Sequence, residues 1–160
     1  MKINEEPDHI IIDRYYAAAM SGINVNWLNS LREEWYDYIT SLPNKERTTY
    51  LIAVLDDQIY NGGLNQYFVN GYGQFAFETI TALEQIGALA SAELLRKAYD
   101  SVNASNYDGK EFRNRLVAGE IDKLYDSEEL DSYLDALDDT YVERVDDIGR
   151  LLIKYLQESE

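Results

Sequence analysis

Apolar residues recur along this chain at steps of three and four, the spacing of one face of an α-helix. Ile10 to Met20 follows Pro7, which suits a first helical turn, and precedes Gly22, which suits a stop. Asn26 is placed to cap a helix that carries Leu28, Leu31, Trp35, Ile39 and Leu42 on one stripe and ends at Pro43. Asn44 opens Lys45 to Tyr60, with Leu51, Val54, Leu55 and Ile59 inward and Gly62 as the closing cap. Further helices are predicted over Phe75 to Ile86, with Phe75, Thr79, Ile80, Leu83 and Ile86 inward, over Ala88 to Val102, with Ala92, Leu95, Ala98, Tyr99 and Val102 inward, and over Lys110 to Tyr125 and Ser127 to Leu137; Gly87 separates the first two. Asn103 to Gly109 reads as a loop, and a last helix gathers Val145, Ile148, Leu152, Tyr155 and Leu156 on one side. Nothing alternates with period two long enough to argue for a strand. The expected fold is all-α, a single helical domain over 1–160 with short connections.

One stretch interrupts the pattern. Ile59 to Gly73 sets three asparagines, a glutamine and four glycines among large apolar side chains. Gly and Asn both disfavour helix interiors, so the stretch is specified for a particular backbone path. Gly62 and Gly63 are free to take positive φ, which lets the chain turn from one helix into the next. Gln66 and Asn70 are four apart and share a helical face, where their amides suit the free backbone groups of two helix ends. Tyr67 and Phe68 would anchor the turn in the core. The alternative is a small-ligand or hydrolytic domain whose polar pocket is lined by Asn61, Gln66 and Asn70.

These residues carry a family resemblance. Asn61, Gly62, Gly63, Gln66, Tyr67 and Asn70 match Asn-Gly-Gly-x-x-Gln-Tyr-x-x-Asn, and Ala82 to Ala88 match Ala-Leu-x-x-Ile-Gly-Ala. Ala92, Leu95 and Ala98 also fit, while Leu137-Asp138-Asp139-Thr140-Tyr141 meets Leu-Asp-x-x-Tyr-Tyr except that Val142 stands at its last position. Over about residues 45 to 156 the chain resembles the bacterial domain-of-unknown-function family represented by DNA mimic protein nineteen. The resemblance implies an all-helical, acidic protein with a capacity to form homodimers. It also implies imitation of DNA to occupy a DNA-binding protein.

Charge sharpens that picture. Thirty acidic residues against fourteen basic ones leave a net charge of −16. Direct binding to nucleic acid or to an anionic membrane surface is therefore not expected, since both require positive charge. Glu120 to Asp147 holds twelve acids and two bases, ten of the sixteen net charges. Asp122 and Asp126, Asp131 and Asp135, and Glu143 and Asp147 are each four apart, about 6 Å along a helix axis. Rows of carboxylates at such spacing suit a basic groove built for phosphates. The expected partner-binding residues are Asp122, Asp126, Glu128, Glu129, Asp131, Asp135, Asp138, Asp139, Glu143, Asp146 and Asp147. The bland reading of the same acids is a solvated face.

Catalytic constellations are weak by comparison. The chain has no cysteine, which removes thiolate catalysis and cysteine-held metals. His9 is its one histidine, and Glu6-Pro7-Asp8-His9 supplies a single Glu-x-x-His where a di-iron bundle needs two. A calcium loop around Asn106 to Gly109 fails its register, with Ala104 first and Arg115 twelfth. Phosphate-cradling glycine patterns and Gly-x-Ser-x-Gly do not occur. Asp56 and Asp57 are the candidates for paired-carboxylate chemistry. No metal and no cofactor are expected. The amino-terminal residues lack the apolar core of a secretory signal, and a cytoplasmic location is the expected default. The expected function is a non-enzymatic, acidic protein-binding domain, a DNA mimic on the basic surface of a DNA-binding regulator. The runner-up is an immunity protein against a basic toxin or nuclease.

Overall fold

The helix α4, Asn44–Val69, is apolar on nearly every side over Thr48 to Leu55, and that is why it lies at the centre. A computed structural model describes residues 8–30 and 33–158, and every regular element among them is helical. Against α4 pack α1 (Asp8–Met20), α3 (Glu33–Ser41), a 3₁₀ turn over Tyr72–Phe75, α5 (Ala76–Ile86), and α8 (Lys123–Asp126) with α9 (Glu128–Val142). The helix α6, Leu89–Val102, folds back on α5 and also meets α9, while α10, Ile148–Gln157, lies on α1 and α5. The remaining helices are α2, Val25–Ser30, and α7, Gly109–Val117. Among the described residues no helix is long and apolar enough to cross a membrane.

Aromatic rings fill the centre. Trp35 is 1% exposed and meets Phe75 and Tyr72 edge-on, at 5.1 and 5.3 Å between ring centroids. Its indole N–H donates to the Tyr50 hydroxyl at 3.2 Å, so the one polar atom of the ring is satisfied. Tyr67 and Phe68 are fully buried, as their place in the Asn/Gly/Gln stretch requires.

The predicted stripes on α4, α5 and α6 face inward, with Tyr99 half-buried and the others buried. Boundaries differ where local chemistry decides them. At the start of α2 the Asn24 side chain accepts the Asn26 N–H at 2.9 Å. Leu28 and Leu31 lie outside the residues whose side chains are described, as does Pro7. The helix expected to reach Tyr125 stops at Val117, because Gly119 takes φ 72° and the N–H of Glu120 closes on the Arg115 carbonyl at 2.8 Å. That reversal buries Ile121 and Leu124. Ser127 caps α9 through the Leu130 N–H at 3.1 Å, but the helix runs to Val142, five residues beyond Leu137. Val145 precedes α10 and is 70% exposed, so it leaves the predicted stripe of the last helix.

The central helix is broken once, at Gly63 (φ 89°, ψ −179°), a conformation essentially closed to other residues. Gly62 does not end the helix, as the sequence suggested; the positive φ falls one residue later. A Cβ on Gly63 would sit 2.3 Å from Oδ2 of Asp138, whereas one on Gly87 (φ 86°, ψ 11°) would meet nothing within 4 Å. Gly63→Ala should therefore cost about 3 kcal/mol or more, and Gly87→Ala about 1 kcal/mol, in urea denaturation. Equal losses would mean that neither the backbone at Gly63 nor its contact with Asp138 adds to the cost.

Candidate functional site

The break at Gly63 leaves the second half of α4 starting with N–H groups that the first half does not accept. Asp138 of α9 fills the gap, its Oδ1 accepting the Leu64 N–H at 2.8 Å. One residue on, the Asn65 amide donates to Oδ1 of Asp131 at 3.1 Å and to the Leu124 carbonyl at 3.2 Å. The acidic segment and the Asn/Gly/Gln stretch, separate in sequence, are thus one structural unit.

The other amides of the stretch are also spent inside it. Gln66 and Asn70 both donate to Oε1 of Gln58, at 3.2 and 3.0 Å, rather than to the backbone groups of helix ends. Gln58 is 8% exposed and was not singled out from the sequence. Its signal was present: a polar residue on the same inward face as Leu51, Val54 and Leu55. Asn61 is exposed, and a pocket built on these three amides has lost two of its donors. Asp56 accepts the Tyr141 hydroxyl at 2.7 Å and pairs with Arg144 at 3.0 Å, which holds α9 to α4. Burial first, then Asp56, pushes the Tyr141 hydroxyl up, so it stays a donor. Asp56 and Asp57 line a cavity of about 660 Å³ whose other walls include Ile12, Ile52, Ile148 and Leu152.

The eleven acids are put to different uses. Asp138 and Asp131 take the contacts just described. Asp146 accepts the Ser91 N–H at 2.8 Å in the first turn of α6, and Asp147 accepts the Arg150 N–H at 3.3 Å at the start of α10. Glu129 lies on a flank of α9, lining a cavity of about 290 Å³ with Lys123 and Tyr133. Asp122 and Asp126 are exposed on or beside the short α8 turn.

The outward side of α9 is different. At 100° per residue, Glu128, Asp135 and Asp139 fall within a sector of about 40°, and Asp131 and Glu143 lie about 40° beyond it on either side. All five are exposed. From Glu128 to Glu143 the axis runs about 22 Å, so the stripe carries a carboxylate every 5 Å or so. One strand of B-DNA carries a phosphate about every 3.4 Å. The helix contains no lysine or arginine. Arg144 is turned to Asp56, and Arg150 pairs with Asp147 at 3.7 Å. Among the described residues no ion pair reaches Glu128, Asp135, Asp139 or Glu143.

Fold and surface together define an acidic all-α protein with a carboxylate-lined helix docked on a broken central helix. The chain belongs to the DMP19-like protein family, whose model matches residues 40–159. No curated protein and no solved structure matches it.

Burial pushes the Asp138 carboxyl up from 3.8 to about 6, against the Leu64 N–H, which lowers it, and with help from Asp135 and Asp139. Between those values the folded chain holds a proton that the unfolded chain releases. Stability from this group therefore falls as pH rises through that window. Asp138→Asn keeps an acceptor for Leu64 and cannot titrate. Urea denaturation at several pH values should show the variant gaining on the parent from pH 3.8 to about 6. Asp138→Ala removes the acceptor and should lose about 1–2 kcal/mol at neutral pH.

Proposed function

We infer that the protein is a non-enzymatic binding protein that acts as a DNA mimic, offering the outer face of α9 to the basic surface of a DNA-binding regulator in the cytoplasm. The observation that carries this reading is the stripe Glu128, Asp131, Asp135, Asp139 and Glu143, exposed on a helix without a base. Membership of the DMP19-like family supports the same reading. Rigidity matters as much as charge. Leu130, Leu134 and Tyr141 bury the opposite side of α9 against the core, so the carboxylates meet a partner already ordered. A basic groove would exchange its phosphate contacts for charge-assisted bonds to carboxylates. Long-range attraction by a chain of net charge −16 makes encounter fast and strongly dependent on salt.

The test is capture on the immobilised protein at low salt, followed by elution with duplex DNA and, separately, with salt. A DNA-binding protein should be retained, be displaced by duplex DNA, and weaken steeply as salt rises. Replacing Glu128, Asp135 and Asp139 by Lys together should weaken it at least about tenfold. Their exposure predicts a stability change of no more than about 1 kcal/mol for each substitution, so the variant stays folded. A partner indifferent to salt, to DNA and to the triple variant would overturn the reading. A nuclease displaced in the same way would identify an immunity protein working by the same charge.

A further inference from the structure

Glu78 on α5 has one carboxylate oxygen engaged and one idle. Oε1 accepts the Tyr36 hydroxyl, whereas Oε2 is buried and accepts no hydrogen bond from any described group. A carboxylate oxygen removed from water without a donor carries a desolvation cost and no return within the fold. Glu78 lines a cavity of about 530 Å³, within the range of small-molecule sites, and shares it with the rings of Phe77, Tyr99 and Phe112. Phe77 is 66% exposed and forms its outer rim.

The same cavity is lined by Arg113, whose guanidinium lies 4.0 Å over the face of Tyr36. Among the described residues neither Arg113 nor Glu78 forms an ion pair. Both engage one tyrosine, Glu78 at its hydroxyl and Arg113 at its ring, which keeps the two charges a single ring apart. Gly109, the first residue of α7, also lines the cavity, so the positive end of that helix lies on the same wall as Arg113. Burial, then the bond to Glu78, raises the Tyr36 hydroxyl to about 12, so it remains a donor and holds Oε1 in place. The terminal carboxylate torsion is soft, so the carboxylate can turn toward a ligand in the cavity it lines.

The geometry points to a binding site for a small zwitterion, an α-amino acid with an apolar side chain. Its ammonium donates to Glu78, its carboxylate takes the guanidinium of Arg113, and its side chain lies among Phe77, Tyr99 and Phe112. The site is built on α3, α5, α6 and α7 and does not depend on the acidic face of α9.

The test is calorimetric titration of the full chain with L-phenylalanine, beside phenethylamine, which lacks the carboxylate, and 3-phenylpropionate, which lacks the ammonium. L-Phenylalanine should bind at least about tenfold more tightly than either. Glu78→Gln keeps an acceptor for Tyr36, and Arg113→Lys keeps a cation but loses the planar fork. Each should weaken L-phenylalanine about tenfold without lowering the thermal midpoint. If a variant proves unstable, the ranking of the three probes on the parent protein decides alone. Absence of L-phenylalanine binding at millimolar concentration, phenethylamine binding as tightly, or two folded variants that bind it like the parent would overturn the proposal.

Discussion

Where α4 breaks at Gly63, its second half begins with backbone donors and no acceptor of its own, and the carboxylate of Asp138 closes that gap from another helix. The bond constrains both partners. Gly63 must stay without a side chain, because the space a Cβ would take belongs to Asp138. Asp138 must stay half-buried, which is why its proton is held to a higher pH than an ordinary carboxyl. Around it the Asn65 amide reaches Asp131, and Asp56 reaches Tyr141 and Arg144. Position and tilt of α9 are therefore fixed by polar contacts at its middle and end as well as by the leucines beneath it.

That docking sorts the charge of the molecule. Several bases elsewhere are occupied locally: Arg96 meets Glu84 at 2.8 Å, Arg115 meets Glu111 at 2.8 Å, and Arg47 donates to the Leu42 carbonyl at 3.1 Å. Exposed pairs of this kind add little stability, but they keep positive charge near its own acids. The outer side of α9 receives none of it. An uneven distribution, rather than the total of −16, is what gives one surface a character different from the rest.

Much of this was legible in the residues, for identifiable reasons. Stripes at steps of three and four located the buried faces of α4, α5 and α6, because burial of an apolar face dominates helix placement. The resemblance carried by the motif from Asn61 to Asn70 is met by a family match over nearly the span read from sequence, 40–159 against about 45–156. Helix ends were harder. Gly62 and Gly63 offer the same freedom, and the choice between them is made by Asp138, which stands far along the chain. Gly119 is likewise a single glycine inside an otherwise periodic run, and Ile121 and Leu124 need the reversal there to reach the core. The purpose of Gln58, Gln66 and Asn70 was open for a similar reason, since an amide suits a helix end, a ligand or another amide equally well until its neighbours are in place. Glu78 gave no sign at all in sequence; its idle oxygen exists only in three dimensions.

The acids of α9 differ in what local helix physics makes of them. Glu128, Glu129 and Asp131 stand in the first turn, where carboxylates favour the positive end of the helix. Asp139 and Glu143 stand near the opposite end, where no basic residue occupies the last turn and each carboxylate opposes the dipole by roughly 0.3–1 kcal/mol. Like charges four apart, such as Asp135 and Asp139, subtract about 0.2–0.5 kcal/mol more. Burying Leu130, Leu134 and Tyr141 returns about 1.5–3 kcal/mol for each large side chain, so the helix tolerates the opposition. Asp138 offsets its own burial partly through Leu64, and Asp146 and Asp147 are used as caps. For Asp139 and Glu143 the described fold supplies no such return. A positive surface docked on this face, as proposed above, would offset what these two carboxylates cost the helix.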